Sequence, residues 1–337
     1  MLFLIETLTT AMRKKLLFVL ISCVSLQTAT AQTDIDGLMM QKKFFCVGPT
    51  AGYSSFKNYW EGTLKRDNLN MGRVSTTNFM IMGNYGVTRR LNVLFGLPYI
   101  KTKASAGQMA GQKGLQDLSL WLKWVGYEKH LFKGDLQLML IGGYSTPVSN
   151  YSPDILPLSL GLHSRTATTR FMLDYQRGHW FGTVSYSYNF RDNVKLDRYT
   201  YYTTEMHYSN EVRMPDASQW NFRAGYRSEV IIAEAILNKW TTLGGFDIPR
   251  NGSPFVSNKM DATSIGINLK YETPLDGLSV VANGSTVLAG RNVGQSTGFN
   301  AGIFYIFDFG RKTKSTNEKD KRSEEHTSEL QSLRHIS

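Results

Sequence analysis

The chain has 337 residues, of which only 19% are charged and 12% aromatic, and its formal charge is +11. It holds 30 glycines, 9 prolines and no run of eighteen apolar residues, which excludes a transmembrane helix and leaves one large barrel or two ordinary domains. Of its two cysteines, Cys23 lies in an export-type segment, so Cys46 stands alone and an internal disulfide framework is excluded.

The first 31 residues read as an export signal. Arg13, Lys14 and Lys15 form the basic start, Leu16 to Leu26 the apolar core, and Ala29-Thr30-Ala31 the small-x-small site, which predicts cleavage after Ala31 and a mature start at Gln32. Met12 reads as the initiator, because residues 1–11 add a second apolar stretch that a signal does not use. Two rival readings are a lipoprotein box at Leu20-Ile21-Ser22-Cys23, which would leave the apolar core very short, and a buried N-terminal helix, which the basic start disfavours. Residues 32–42 follow as a periplasmic N-terminal segment, with Gln32 to Gln41 able to fold inside a barrel as a plug.

From residue 43 to 310 about twelve segments alternate with period two, the mark of strands with one oily and one mixed face. The first, Lys43 to Phe56, is interrupted by Pro49. Next, Asn78 to Val87 sets Phe79, Ile81, Tyr85 and Val87 against Asn78, Met80, Met82 and Asn84. The clearest pair is LNVLFGLPY from Leu91 and LQDLSLWLKW ending at Trp124. Its oily positions are Leu91, Val93, Phe95, Leu97 and Tyr99, then Leu118, Leu120, Leu122 and Trp124. Such a hairpin suits a lipid-spanning barrel or a soluble sandwich equally. Alternation continues over Leu136 to Tyr144, Arg170 to Gln176, Trp180 to Phe190 and Trp220 to Arg227. Ile231 to Trp240 fits a strand or a short helix. Ile265 to Tyr271, Leu278 to Leu288 and Phe299 to Phe309 complete the set.

The connections separate the two architectures. Short ones at Thr88 to Arg90, Arg177 to His179, Ser228 and Pro274 to Gly277, and an intermediate one at Glu128 to Asp135, alternate with long ones at 57–73, 101–114, 147–166, 191–217 and 243–261. This is the outer-membrane pattern of short periplasmic turns and long outer loops. The expected fold is therefore all-β: a transmembrane up-and-down antiparallel β-barrel of about twelve strands, with both termini periplasmic. A closed barrel also leaves no unpaired edge in lipid. Tyr99, Trp124, Tyr144, Tyr175, Trp180, Tyr226, Trp240, Tyr271 and Phe309 fall near strand ends and suit interfacial girdles.

Residues 311–337 read as a disordered basic tail. Within it, 322–337 begins RSEEHTSELQS, which resembles the translation of a sequencing-library adapter; it is read as artefact or as a natural tail outside the fold. Without residues 1–31 and 322–337 the balance is 33 basic against 23 acidic groups. These are scattered, with no nucleic-acid motif, so nucleic acid is not an expected partner and anionic outer-membrane lipids are.

FGLPY (Phe95 to Tyr99) followed by GLQDLSLWLKW (Gly114 to Trp124) resembles the paired signature of the outer-membrane β-barrel family named for the MetA pathway of phenol degradation. Gly114, Asp117, Lys123 and Trp124 fill that family's Gly-x-x-Asp strand ending in Lys and an aromatic; Gln116 stands where a Gly is commoner. The resemblance implies transport of small, often apolar compounds.

The inward faces would carry Met80, Met82, Leu94, Ile100, Trp121, Met139, Ile141, Met172 and Phe181, with Asp117, Lys123, Arg170, Asp174, Arg223, Arg227, Lys270 and Asp308. Twelve strands give a backbone diameter of roughly 24 Å and a lumen on the order of 10 Å, open to a small molecule or filled by salt bridges. A Met-rich wall suits apolar solutes. The expected function is passive passage of small, hydrophobic or aromatic compounds, with no cofactor and no metal. Alternatives are a structural or adhesive barrel that binds a surface partner, and a lipid hydrolase, since His207-Tyr208-Ser209-Asn210 resembles the His-x-Ser-Asn element of outer-membrane phospholipase A.

Overall fold

A computed structural model describes residues 33–250 and 252–310. Residues 1–32 and 311–337, where the sequence analysis expects an export signal and a basic tail, lie outside the described residues. Twelve long strands form one sheet. They are β1 (Phe44–Phe56), β2 (Val74–Gly86), β3 (Leu91–Ala104), β4 (Asp117–Leu131), β5 (Gly134–Pro147), β6 (Thr166–Arg177), β7 (Trp180–Arg191), β8 (Ala217–Arg227), β9 (Ile231–Thr242), β10 (Asp261–Glu272), β11 (Leu278–Arg291) and β12 (Thr297–Asp308). Each pairs antiparallel with its sequence neighbours, and β1 pairs with β12 from Phe44↔Asp308 to Ser55↔Thr297, so the sheet closes.

Closure inverts the usual distribution of side chains. Apolar residues on the outward parity stand exposed: Phe171 62%, Ile267 61% and Phe299 63%. Polar residues on the inward parity are buried: Lys123 0%, Asn92 0% and Thr183 1%. A continuous oily belt around a polar interior is stable only where the solvent is lipid.

The Ile231–Thr242 segment is a strand throughout, registered from Ile231↔Tyr271 to Thr241↔Asp261. Its two faces are both partly apolar, with Ile232 buried and Ile231 and Leu237 exposed, which is why the sequence also allows a helix there. One girdle assignment is corrected. Trp240 shares the inward parity of Ile232 and Glu234, and its ring lies 5.8 Å from the Arg191 guanidinium carbon.

β1 begins and β12 ends at the short-turn end of the barrel, where Phe44 faces Asp308. The opposite end carries the long connections. Their own short hairpins are Asn58–Glu61 with Leu64–Asp67, Val194–Lys195 with Glu211–Val212, and Tyr201–Tyr202 with Met206–His207. Residues of two long loops bury a shared core of Val194, Leu196, Tyr201, Val212, Met214, Phe255 and Val256. The sixth connection at this end, residues 292–296, is short.

Pro98 explains part of the paired signature. The β3–β4 ladder runs from Leu91↔Trp124 only to Gly96↔Ser119. Beyond it the short strand Lys113–Leu115 takes over, pairing Tyr99↔Leu115 to Lys101↔Lys113. Pro98 sits in the gap between these ladders, where the missing N–H leaves no partner unmet, and its carbonyl accepts from Gln116 N at 2.9 Å.

Candidate channel lumen

The second half of the signature, on β4, holds three structures together. Asp117, at the long-loop end, accepts from the Tyr151 hydroxyl at 2.7 Å, fixing the loop that follows β5. Burial first, and then the Asp117 carboxylate, raise the Tyr151 phenol pKa, so Tyr151 stays a donor. Trp121 turns inward and stands 5.5 Å from the Arg170 guanidinium carbon. Lys123, fully buried, reaches the segment that precedes β1.

That segment, Thr33–Gln41, lies against the inward side chains. Lys123 Nζ donates to the carbonyls of Thr33 (3.1 Å), Asp36 (2.6 Å) and Leu38 (2.7 Å), and to Asp36 Oδ1 (3.1 Å). Arg170 Nη1 donates to Asp34 O at 2.9 Å and to Asp34 Oδ2 at 2.5 Å. Such charge-assisted bonds are the strong ones in a water-poor interior. The segment's shape is set by Asp36 itself, which accepts from Thr33 N and from Leu38 N. Burial pushes the Asp36 carboxyl up. Lys123, then Arg223, then the two amides outweigh burial and hold it below the ordinary carboxylate range. Gly37 passes so close to the wall that a Cβ there would lie 2.0 Å from Asp174 Oδ1. Met39 and Trp121 both pack on a cluster of Val125, Met139, Ile141 and Met172, and Met40 packs with Cys46, Phe304 and Ile306.

The other inward charges pair within the wall. Arg223 Nη1 meets Glu234 Oε1 at 3.3 Å, and Asn268 donates to the same oxygen at 2.7 Å. Arg227 Nη1 meets Asp174 Oδ2 at 3.2 Å, donates to Gln176 Oε1 at 2.9 Å, and its guanidinium carbon stands 3.9 Å from the Phe181 ring centre. Lys270 Nζ meets Glu272 Oε1 at 2.5 Å. Leu94 is buried, Met80 is half-buried, and the half-buried Met82 packs against the Met40 cluster. Ile100 is buried with Tyr151 and Leu160 beneath the long loop. Asp308 is placed differently from the rest: it ends β12 exposed at the rim, its Oδ1 accepting from Gly310 N at 2.8 Å.

Asp34 and Asp36 carry functional contacts that strand periodicity does not reveal, because they precede the first strand. A signal for them exists in charge alone. The inward set holds Lys123, Arg170, Arg223, Arg227 and Lys270 against few carboxylates, and two aspartates stand just upstream.

At the long-loop end a cavity of about 500 Å³ opens between loops. Phe56, Met71, Met109, Leu156, Pro157, Ile248, Met260 and Val293 line it, with Asn68, Gln108 and Asn292, and none of its lining residues is charged. Asn292 builds this mouth. Its Oδ1 accepts from Gly62 N (2.7 Å) and Ile248 N (3.1 Å), and its Nδ2 donates to Asp247 Oδ1 (2.7 Å) and Lys259 O (2.6 Å). A second cavity, of about 550 Å³, is polar and lies beside Arg191, Arg213 and Asp216.

The His-x-Ser-Asn element is not assembled for nucleophilic chemistry. His207 Nε2 lies 2.8 Å from Thr203 Oγ1, and its ring stacks on Tyr201 at 4.7 Å. The Ser209 hydroxyl instead accepts from Glu211 N at 3.0 Å. A base serving this serine would need to be within hydrogen-bond reach of it.

A family model described as "Putative MetA-pathway of phenol degradation" matches residues 68–301. No curated protein matches the chain. Among solved structures, the COG4313 outer membrane channel from Pseudomonas putida F1 is similar at 13% identity and a TM-score of 0.64, covering 82% of this chain and 100% of that one. The NanC porin aligns at 7% identity and a TM-score of 0.42, over 76% of this chain and 98% of that one. The TodX deltaS2S3 mutant monoaromatic hydrocarbon channel aligns at 10% identity and 0.41, over 80% and 91%. The first likeness shows a shared barrel fold.

Proposed function

This chain belongs to the family described as the MetA pathway of phenol degradation, and we propose that it is a channel in the outer membrane of a Gram-negative bacterium, passing small apolar or aromatic compounds by diffusion. In this reading the long loops face outward, the short turns and both chain ends face the periplasm, and the oily belt sits in lipid. The carrying observation is the closed barrel with a polar, charged interior beneath a mouth cavity that holds no charged side chain. An uncharged mouth favours solutes that lose little hydration on entry. The Thr33–Gln41 segment acts as a tethered plug that must shift for passage, since it occupies the space between β3, β4, β6 and β12.

Liposomes holding the purified full chain provide the test. Uptake of a small aromatic compound above the protein-free rate is expected. Absence of flux for every solute tried, with the barrel verified as folded, rejects the channel.

A further inference from the structure

Lys123, Ile141 and Arg170 lie in one row across β4, β5 and β6, as the pairs Lys123↔Ile141 and Ile141↔Arg170 record. Neighbouring strands are about 4.8 Å apart, so the two cations stand roughly 10 Å from each other at the backbone, on either side of a buried isoleucine. They differ from the other inward cations in one respect. Arg223, Arg227 and Lys270 each meet a carboxylate of the wall itself. Among the described residues, Lys123 and Arg170 meet carboxylates only from the segment before β1, Asp36 and Asp34. Beside them Trp121, Met139 and Met172 form an apolar patch, and the same segment lays Met39 on that patch.

The wall therefore offers two cations next to an apolar surface, and the chain's own N-terminal segment fills both halves. What fits this seat is a small organic anion: a carboxylate for the cations and an aryl or alkyl body for the patch. We infer that Lys123, Arg170 and Trp121 form a luminal subsite for small organic carboxylates, which Asp34, Asp36 and Met39 occupy as an internal competitor. This rests on reading the barrel as a solute channel. A solute arriving from the mouth exchanges with the tethered carboxylates. Because a short tether holds a ligand at an effective concentration in the millimolar range, a free carboxylate displaces it only at about millimolar levels or above.

The probes are benzoate and its neutral counterpart benzamide, with the full chain in liposomes. Asp34→Asn/Asp36→Asn removes the competitor's charges and leaves the wall intact. Lys123→Met/Arg170→Met removes the subsite and also frees the segment. A hydrogen bond to a charged group contributes enough to change occupancy about tenfold. The first variant is expected to pass benzoate about tenfold faster than the native chain, with a smaller gain for benzamide. In the second, the benzoate-to-benzamide ratio should drop about tenfold below that of the first. Equal ratios in the two variants overturn the subsite. Calorimetry in detergent keeps this separate from the channel reading. Benzoate binding to the first variant but not the second, without flux in either, upholds the subsite and rejects the channel. Flux without any difference in benzoate binding does the reverse. Should a double variant fail to show heat-modifiable migration, Asp36→Asn and Lys123→Met alone carry the comparison.

Discussion

Lys123 on β4 and Asp36 of the N-terminal segment, 87 residues apart, meet inside the barrel at 3.1 Å, and the same ammonium takes three backbone carbonyls of that segment. One side chain thus satisfies carbonyls that would otherwise lie unpaired in a closed interior. Lys123→Met leaves the buried Asp36 carboxylate without its main partner. Breaking a buried pair by removing one partner costs about 3–5 kcal/mol. The seated segment alone should bear that cost. Limited proteolysis from the short-turn side is expected to cleave near residues 33–41, while the barrel keeps its urea midpoint. A barrel that loses stability in parallel would contradict this division.

Gly37 faces Asp174 at a distance no Cβ tolerates. Gly37→Ala is expected to unseat the segment as fully as Lys123→Met, without removing any charge. Single-channel recordings should show a larger open fraction than the native chain. An unchanged open fraction would mean that Asp174 can move aside, or that the segment does not limit conduction.

The Asp36 carboxyl has a depressed pKa when seated, so seating gains stability from its ionised form. That gain is complete above the ordinary carboxylate value of about 4 and is lost as pH falls through the lower, seated value. Proteolytic protection of the segment should persist from neutral pH to about pH 4 and disappear in stronger acid. Asp36→Asn should show weaker protection and no such step. A loss of protection already complete near neutral pH would point to a different titrating group.

Asn292 ties three long-end connections together through four hydrogen bonds, and it is 3% exposed. Asn292→Ala leaves buried amides and a carbonyl unmet, at about 1–3 kcal/mol each where water cannot reach them. Loop 243–261 should become cleavable from the outside, and the mouth cavity should lose its shape. Surface proteolysis of whole cells measures this directly.

The oily belt makes a different prediction. Ile267→Lys, on the outward face of β10, places a charge in mid-membrane and should cost about 2–4 kcal/mol in folding titrations from urea into liposomes. Asn268→Lys, one residue on, points inward beside Glu234 and should cost less. Equal costs would argue against a lipid-facing belt.

The strands and their two sides are legible in the chain's alternation, because a pleated strand turns successive side chains to opposite faces whatever surrounds it. Phe171, Leu173, Arg170 and Met172 are sorted by that rule alone. The sequence also showed that one end of the barrel carries the long loops. Where both sides of a strand are apolar the rule loses its grip, and Trp240, near a strand end like the girdle aromatics, turns inward to Arg191. Which charges meet depends instead on closure of the sheet. Asp34 lies 136 positions from Arg170, and Thr102 shares a hydrogen bond with Leu158 across a loop, contacts that no local period encodes. They arise because sealing the sheet surrounds a small volume with polar side chains from many strands. Their charges must then be met by whatever chain is close enough to reach them.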